Sequence, residues 1–446
     1  MRILHVGKFF PPHPGGIERC MADLCGALHA RGVSVAALAH NEPGEKSIQR
    51  HDASGFEVTL AACRGHVLYA PVSPSFPLLL KRSLAQFRPD LLHLHLPNTS
   101  AFFALLSPAA RRLPWVVHWH ADIPLDTRQR MLRVAYGIYR PWEKRMLRQS
   151  AAIIATSELY LASSHALIPW RSKTHVIPLG IGNFPSPSTS SGERTEVSGQ
   201  RENHALPYAH ALPRHPTLSP IASDGRKGEG AALGDSPSAL GPQPSALNPR
   251  LRVLAVGRLS YFKGIDVLLR AVAEVADARL MLVGDGECRA ALERLANDLG
   301  IAGRVHFAGR IDMNQRGAAT LQAAYASADV FCLPSTDRAE SFGLVLLEAM
   351  RARLPVIASA IPGSGVGYVV RDGETGLLVV PGDAGALAQA LRRLSGDAVL
   401  RMRLGSAGAQ RWSDEFTLDR AADRVLQLYR RVLAAPAAGA TAAPAD

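Results

Sequence analysis

Two cations in a glycine-bounded turn are the first residues whose type and spacing indicate chemistry. Arg258 and Lys263 lie in the segment 257–264, which follows the apolar run 251–256 and begins and ends with glycine. Guanidinium and ammonium groups bind phosphate oxygens, and fixed cations stabilise the charge that develops when a diphosphate leaves. We therefore predict that both side chains contact a diphosphate. A turn with two solvated charges is the alternative interpretation.

Two glutamates, Glu340 and Glu348, stand eight positions apart after a second apolar run, 330–333. The pattern predicts a helix whose first backbone amides lack partners within the helix and can bind an anion. Those amides belong to Ser341, Phe342, Gly343 and Leu344. Glu340 precedes the helix and can reach a sugar, whereas Glu348 lies inside it, where a buried carboxylate needs partners such as ribose hydroxyls. An ordinary salt-bridged helix is the alternative.

The N-terminal half offers a glycine pair and a histidine pair. Gly15 and Gly16 open the first predicted helix, so the Gly16 amide can contact a donor phosphate or sugar; the alternative is a tight turn only. His118 and His120 stand at the end of the predicted strand 115–119, where a histidine can hydrogen-bond a sugar hydroxyl or the reacting centre. Both could instead bind a metal ion, but the sequence offers no third ligand at suitable spacing.

Three polar residues lie in and just after the predicted strand 91–96. They are His93, His95 and Asn98. We interpret these residues mainly as polar groups of the core and of the following loop, with contact to an acceptor as the alternative.

The elements that position these residues alternate between strand and helix. Strand, glycine-rich loop, helix and strand follow one another over residues 3–39, which is one βαβ unit and implies a parallel sheet. The alternation resumes at residue 251. The sequence therefore predicts two doubly wound α/β domains, over residues 1–182 and 251–433.

The segment between these domains differs in composition. Residues 183–250 are dense in Pro, Ser, Gly and His and lack a periodic apolar pattern, which is typical of disorder. We place this segment at the domain junction because a structureless stretch of this length rarely interrupts a compact domain. The tail 434–446, rich in Ala and Pro, is also predicted to be disordered.

Positive charge is concentrated in the first predicted domain. The chain has a net charge of +12, and residues 1–182 contain 21 Lys and Arg against 11 Asp and Glu. A predicted helix over 128–148 carries seven of these cations among Met, Leu, Tyr and Trp side chains. This pattern indicates either an interfacial helix on anionic lipid or an ordinary amphipathic helix. Nucleic acid is not favoured because no recognised binding motif accompanies the charge.

Cysteine usage and hydropathy indicate where in the cell the protein is located. The five cysteines are odd in number and form no C-x-x-C pair, so we predict neither disulfides nor a cysteine metal site, and a reducing cytoplasm fits. The first residues predict a strand rather than a signal peptide, and no apolar run approaches the ~18–20 residues that span a bilayer. We expect a cytoplasmic protein with peripheral contact to the inner face of the membrane.

Together, these segments resemble glycosyltransferase family 4, a large retaining family of GT-B fold with two Rossmann-like domains. The resemblance covers about residues 1–182 and 251–433. Its most specific pieces are Gly-Arg-Leu-Ser-Tyr-Phe-Lys-Gly at 257–264, Glu-Ser-Phe-Gly with the second glutamate at 340–348, Asp-Gly-Glu-Thr-Gly at 372–376, and Pro-Pro-His-Pro-Gly-Gly-Ile-Glu at 11–18. The segment 183–250 has no counterpart in the family pattern.

The resemblance assigns roles to individual residues. It implies that Arg258 and Lys263 bind the diphosphate, that Glu340 contacts the sugar and that Glu348 holds the ribose. It also implies that the glycine pair faces the donor and that His120, rather than His118, lies near the anomeric carbon. The stretches 118–122 and 363–368 look closest to bacterial mannosyltransferases of polysaccharide assembly.

The resulting hypothesis is a metal-independent hexosyltransferase of the EC 2.4 class with no cofactor other than its donor substrate. It would move a hexose, with mannose favoured, from a GDP- or UDP-linked donor to a glycan or a polyprenyl-diphosphate-linked oligosaccharide. No Asp-x-Asp motif is present for a metal, so the cations and amides would replace it. Because no carboxylate is placed as a nucleophile, a front-face mechanism follows, in which the leaving diphosphate helps to deprotonate the acceptor hydroxyl.

Two other functions fit the same residues. A nucleotide-sugar epimerase of this architecture would act on the donor alone, and a donor-binding protein without catalysis would only hold it. A nicotinamide-dependent oxidoreductase is least favoured, because the first loop lacks the three-glycine fingerprint and no acidic residue ends the second strand.

Overall fold

The computed structural model describes residues 1–68, 70–123, 130–183, 250–311 and 315–435. Residues 1–183 and 251–435 lie in one compact unit. The predicted disordered segment 183–250 falls, except at its two ends, outside the described residues. The same holds for Arg128 of the predicted basic helix and for the tail from residue 436 onwards.

The first half of the chain builds an α/β layer around one large sheet. Its strands are β1 (Arg2–Phe9), β2 (Ser34–Pro43), β3 (Ile48–His51), β4 (Glu57–Cys63), β5 (His66–Val67), β6 (Ala70–Pro71), β7 (Leu91–Leu96), β8 (Trp115–Trp119), β9 (Ala152–Ala155) and β10 (Thr174–Val176). Its helices are α1 (Gly16–His29), α2 (Phe76–Phe87), α3 (Phe103–Leu106), α4 (Pro108–Arg111), α5 (Arg130–Gln149) and α6 (Glu158–Ser163).

The eight strands of this sheet follow the order β10-β9-β8-β7-β1-β2-β4-β3, and β5 pairs with β6 separately. Neighbours pair in parallel except β3, which runs antiparallel to β4. Strands β7 and β8 are buried along their whole length, as expected for parallel strands covered by helices on both faces.

The second half repeats the pattern. Its strands are β11 (Leu251–Val256), β12 (Ala278–Val283), β13 (Val305–Gly309), β14 (Val330–Leu333), β15 (Val356–Ser359) and β16 (Gly376–Val379). Its helices are α7 (Ile265–Ala273), α8 (Arg289–Asp298), α9 (Gln315–Ser327), α10 (Leu344–Arg351), α11 (Val366–Val369), α12 (Ala384–Gly396), α13 (Ala398–Glu415) and α14 (Leu418–Ala434).

The second sheet is parallel throughout and has the order β13-β12-β11-β14-β15-β16. The chain changes direction across the sheet between β11 and β14. At such a switch point the loops at the carboxyl ends diverge and leave a crevice for ligands. The prediction of two doubly wound sheets is confirmed. The sequence interpretation did not identify β3, β4 or α2.

The last helix, α14, does not pack on the second sheet. Its buried face, including Val425 and Tyr429, belongs to the core beneath β1 and β7, together with Leu24 and Leu28 of α1. The chain crosses over just before it, where Leu418 donates a backbone hydrogen bond to Ile181. Sequence position assigned residues 418–433 to the second domain, whereas packing joins them to the first. The crossing could not be seen in the sequence because an amphipathic helix does not reveal which sheet it covers.

The described helices and the cysteines bear on the expected location of the protein. None of the described helices combines the length and apolar content that a membrane span requires. All five cysteines are free, and four of them are buried.

Candidate active site

The loop after β11 forms one wall of a pocket at the switch point of the second sheet. Gly257, Arg258 and Lys263 line this pocket together with Pro334, which directly follows β14. A Cβ at Gly264 would lie 2.1 Å from the carbonyl oxygen of Pro334, and Gly264 has a φ of 63°. Only glycine fits here, because the two loops pack backbone to backbone in a conformation that disfavours side chains.

The ammonium of Lys263 and the carboxylate of Glu340 meet at the edge of this pocket. Lys263 Nζ lies 2.5 Å from Glu340 Oε2, and the two side chains are 16% and 10% exposed. Ser335 donates to the same oxygen at 3.0 Å, while Ser364 donates to the Glu340 backbone carbonyl. The sequence predicted both residues for one ligand site, and the structure brings them into contact.

Arg258 is placed differently from Lys263. Its side chain is 73% exposed, with Nε 3.6 Å from Glu287 Oε2. Burial lowers the pKa of Lys8, nearby Glu18 opposes the shift and the charge of Arg258 adds to it. Lys8 and Arg258, from the two halves of the chain, are thus near enough to repel each other. Lys8 was not predicted as a site residue, although its place near the end of β1 was a usable signal.

The predicted helix after Glu340 begins later than the sequence indicated. Helix α10 starts at Leu344 after Gly343, which has a φ of 79°, so Ser341 and Phe342 form a turn before the helix. This correction follows from the left-handed glycine, which ends the extended chain. Across the described residues, no protein group accepts from the amides of Ser341, Phe342, Gly343 and Leu344. Four neighbouring free donors at a helix start form an anion-binding arrangement.

The side chain of Phe342 packs inside the protein. It is 2% exposed and packs edge-on against Phe416 at 6.1 Å. Only its backbone amide is available to a ligand.

The first helix of the chain meets the start of α10. Helix α1 begins at Gly16, and a Cβ at Gly16 would lie 3.3 Å from Leu344 Cδ1. The partial positive charges of two helix N-termini thus lie close together. Gly16 was predicted to face the donor, and the structure brings it to the same place as the α10 amides.

Glu348 is buried and already has two partners. Tyr325 donates from its hydroxyl to Oε2 at 2.8 Å, and Arg19 Nη1 donates to Oε1 at 2.7 Å. Arg19 belongs to α1, so this ion pair links the two halves of the chain across the site. We predicted ribose hydroxyls as the partners of this carboxylate. Arg19 was not predicted, because its contact is formed over 329 residues of sequence.

A second polar link between the halves lies beside His120. Arg338 Nη2 donates to Asp122 Oδ2 at 3.2 Å and to Ser163 Oγ at 3.0 Å. Asp122 also accepts from the indole of Trp119 at 2.9 Å. These bonds hold the loop that follows β8 against the second half.

His120 belongs to a cluster of five buried histidines on one face of the first sheet. The members are His5 of β1, His93 and His95 of β7, His118 of β8, and His120 just after β8. The strand register places His5 beside His93 and His95 beside His118. On each strand the histidines alternate with residues that face the opposite core. Asn98, by contrast, accepts from the Ser100 amide and caps a short turn, as the loop interpretation proposed.

One row of hydrogen bonds runs from His120 into the core. His120 Nε2 lies 3.0 Å from His95 Nδ1, and His95 Nε2 lies 3.1 Å from His5 Nδ1. The row ends on the hydroxyl of Tyr429, which lies 3.4 Å from His5 Nε2.

A second row lies against the first. It joins His118 Nδ1 to His93 Nε2 at 3.3 Å, and His93 Nδ1 bonds to the same hydroxyl of Tyr429. The rings of the two rows stack, with His118 over His120 at 4.2 Å and His93 over His95 at 4.5 Å, both 12° from parallel.

The cluster corrects one point of the sequence interpretation. We found no third ligand to accompany His118 and His120, but folding brings a ring nitrogen of His95 within 4.8 Å of theirs. Imidazoles that bind one ion are arranged around it, with their in-plane lone pairs converging. These rings are instead stacked or joined edge to edge. The geometry is that of a hydrogen-bond network.

Burial keeps the network uncharged. It lowers the pKa of His5 and His118 to about 3 and the pKa of His93, His95 and His120 well below the ordinary value. For all but His118, neighbouring histidines add to the shift. At neutral pH each ring therefore offers one N–H donor and one lone pair.

Both halves of the chain match glycosyltransferase family models. Residues 15–180 match the "Glycosyl transferase 4-like domain" and residues 250–397 match "Glycosyl transferases group 1". The phosphatidyl-myo-inositol mannosyltransferase of Mycobacterium leprae is 30% identical over 92% of this chain and 91% of that protein. The chain is a family 4 glycosyltransferase.

Other relatives support the same assignment. The glycosyltransferase is 26% identical to the O-antigen chain mannosyltransferase C of Escherichia coli over 97% of its own length and 99% of that protein. Sucrose-phosphate synthase of Thermosynechococcus elongatus aligns with 98% of this chain and 100% of that chain, with 24% identity and a TM-score of 0.71. Anabaena HepE in complex with UDP and glucose aligns with 96% of this chain and 99% of that chain, with 21% identity and a TM-score of 0.63. The two structures establish the GT-B fold.

The Lys263–Glu340 contact predicts a strong coupling in stability. Glu340→Gln or Lys263→Met in this glycosyltransferase leaves one charge buried without its partner, which we expect to cost roughly 3 kcal/mol each. The double variant leaves neither charge, so its cost should be well below the sum of the two. Urea unfolding of the four proteins measures the coupling. Additive costs would show that the contact does not stabilise the folded chain.

The histidine cluster predicts instability in acid. Each ring has a folded-state pKa below the unfolded value near 6.5, so its stabilisation is complete above that pH and is lost as the pH falls. One histidine contributes about 1.4 kcal/mol per pH unit, and five contribute up to about 7 kcal/mol per pH unit. Unfolding free energies between pH 7.5 and 5.5 measure the slope. His118→Asn should lower the slope by the contribution of one histidine, because an asparagine at this position does not titrate.

Proposed function

We propose that this glycosyltransferase moves a hexose, with mannose favoured, from a GDP- or UDP-linked donor to a glycan or a polyprenyl-diphosphate-linked oligosaccharide. We further propose that the configuration of the sugar is retained and that no metal ion takes part. The observation that carries the donor assignment is the group of four free amides at 341–344 beside the Lys263 ammonium.

The diphosphate would be bound by charges and dipoles that the chain already holds in place. Lys263 is held by Glu340 at the pocket edge, and the exposed Arg258 side chain can turn towards a ligand. The helix starts at Gly16 and Leu344 add partial positive charge. Such fixed groups stabilise the diphosphate most as its charge grows on leaving, which is the role that a metal ion has in other transferases.

The nucleoside would lie against Glu348. Its ribose hydroxyls would replace Arg19 as partners of Oε1, while Tyr325 keeps its bond to Oε2. Replacement of one charged donor by two hydroxyls keeps the buried carboxylate satisfied. Donor binding therefore requires the Arg19–Glu348 ion pair to open.

The proposed transfer step uses the roles that the family resemblance implies for Glu340 and His120. Glu340 would contact ring hydroxyls of the sugar, and His120 would lie near the anomeric carbon. The acceptor hydroxyl attacks from the face that the diphosphate leaves, its proton passes to a diphosphate oxygen, and the bond from the anomeric carbon to that diphosphate breaks. The contact between the two halves at Arg338 would help to exclude water, which would otherwise hydrolyse the donor.

The favoured sugar and acceptor rest on the relatives. The Escherichia coli protein is named as an O-antigen chain mannosyltransferase and the Mycobacterium leprae protein as a phosphatidyl-myo-inositol mannosyltransferase. A lipid-linked acceptor would place the enzyme at the cytoplasmic face of a membrane.

Helix α5 supplies a surface for such a membrane. Val134, Ile138 and Trp142 are spaced four residues apart on one side and are 70%, 72% and 39% exposed. Five exposed cations share the described part of the helix, namely Arg133, Arg140, Lys144, Arg145 and Arg148. An exposed apolar stripe among cations fits the headgroup region of an anionic bilayer, and each cation adds about 1 kcal/mol of attraction.

The donor assignment predicts stabilisation by one class of nucleotide sugar. A ligand at one hundred times its Kd adds about 2.7 kcal/mol to the folded state, so the matching donor should raise Tm measurably. Arg258→Ala is the matched variant, because its exposed side chain contributes little to folding. We expect it to keep the Tm of the free protein and to lose most of the donor-induced rise.

The same preparation can then be offered lipid-linked or free glycan acceptors, and the anomeric configuration of the product read by NMR. An inverted product would contradict the front-face step. Conversion of the donor sugar without an acceptor would identify an epimerase. An unchanged Tm with every nucleotide sugar would rule out the donor site.

The α5 surface predicts binding to anionic vesicles. Ile138→Asp should weaken co-sedimentation with phosphatidylglycerol-containing vesicles at least tenfold, since it places a charge in the apolar stripe. Val399→Asp on α13 is the matched control, as Val399 is 71% exposed on another helix. Binding should also fall with added salt. Equal weakening by both variants would argue against α5 as the contact.

A further inference from the structure

Two ring nitrogens at the ends of the histidine rows have no partner among the residues that the structure describes. They are His118 Nε2 and His120 Nδ1, both buried. A buried polar atom without a partner is costly unless a ligand completes it. The two atoms lie at the carboxyl end of β8, on the side of the first sheet where the Arg338–Asp122 contact reaches the second half.

Counting donors restricts the protonation of all five rings. Each contact within the rows needs one N–H or O–H and one lone pair, and each uncharged imidazole supplies one of each. Tyr429 has a single O–H, and the hydroxyl contacts both His93 and His5. It must therefore donate to one row and accept from the other, because accepting from both would strand its own proton in the core.

Only two arrangements satisfy every contact. If Tyr429 donates to His93, the His93 Nδ1 is a lone pair and its Nε2–H donates to His118. Tyr429 then accepts from His5, and each ring of the other row must likewise donate from Nε2 to the next. Every ring therefore carries its proton on Nε2. If Tyr429 donates to His5, every ring donates from Nδ1. The five histidines therefore share one tautomer, and the unpartnered ends have opposite character in either case.

The contacts of Tyr429 favour the first arrangement. Its hydroxyl lies nearer to His93 than to His5, which is 3.4 Å away. We assign the O–H to His93, the nearer of its two partners. His120 Nδ1 then carries a lone pair, and His118 Nε2 carries a proton.

We propose that Tyr429, through His5 and His95, fixes the tautomer of His120 so that its Nδ1 accepts a hydrogen bond from a hydroxyl of the donor sugar. The proposal rests on the proposed function, because it needs the sugar to lie at His120. Tyr429, His5 and His95 are positioning residues in this scheme, since they act through His120. Changing the network to the other tautomer requires one proton to enter at His120 Nδ1 and one to leave at His118 Nε2.

The tautomers can be read directly by NMR. We would label histidine with 15N in the full chain, record long-range proton–nitrogen correlations of the rings at pH 7.5, and assign the five rings through single His→Gln variants. All five should be protonated at Nε2 in the wild-type chain. Mixed tautomers, or protonation at Nδ1, would overturn the proposal. No substrate is present, so this result stands apart from the success or failure of the donor assignment.

Variants test the link to Tyr429. Tyr429→Phe removes the shared hydroxyl, and the rings should become mixed in tautomer. His5→Gln interrupts only the row to His120, so His93 and His118 should keep Nε2–H while the tautomers of His95 and His120 mix. This second variant serves if the first does not fold. Uniform Nε2–H in either variant would overturn the proposal.

The kinetic consequence is a change in kcat. Tyr429→Phe should lower kcat for transfer about tenfold while the donor KM changes less than twofold, because the diphosphate and ribose contacts remain. Val425→Ala is the matched control, since Val425 is buried on the same helix and offers the rows no polar group. We expect it to lower Tm but to keep kcat. An equal loss of kcat in both variants would show that α14 acts through stability alone.

Discussion

The parallel pairing of the strands is the constraint on which the whole site depends. In a parallel sheet every strand ends at the same edge, so loops distant in sequence are brought side by side. The loops after β11 and β14 are adjacent because the strand order reverses there, and Lys263 meets Glu340 for that reason. In the first sheet the same rule collects Gly16 and His120 at one edge. Backbone hydrogen bonds between parallel strands thus decide which side chains lie next to each other in the site.

The parts of the site that the sequence predicted are those set by local order. Lys263 and Glu340 each follow an apolar run, and that position alone fixes the edge at which they emerge. The start of α10 was predicted too early, because Gly343 turns the chain in a way that helical periodicity does not reveal. Arg19 was not predicted, since its ion pair with Glu348 depends on how the two halves dock. Lys8 was missed for the same reason.

The histidine network was within reach of sequence reasoning. Histidines alternate with leucine, valine or tryptophan on β7 and β8, and a side-chain period of two places them on one face. From the sequence, His118 and His120 are instead assigned to the candidate site, and His93 and His95 to the core and the following loop. Strand order was needed to see that three neighbouring strands contribute to one cluster, and the crossing of α14 was needed to find Tyr429.

The crossing also sets an order of events during synthesis. The histidine face of the first sheet is covered by α14, the last described helix of the chain. A ribosome adds about 5–20 residues per second, so the roughly 250 residues between β10 and the end of α14 take on the order of 12–50 s. Throughout that interval α1 alone can cover this face of the first sheet, so its core is completed only after the last helix has been synthesised.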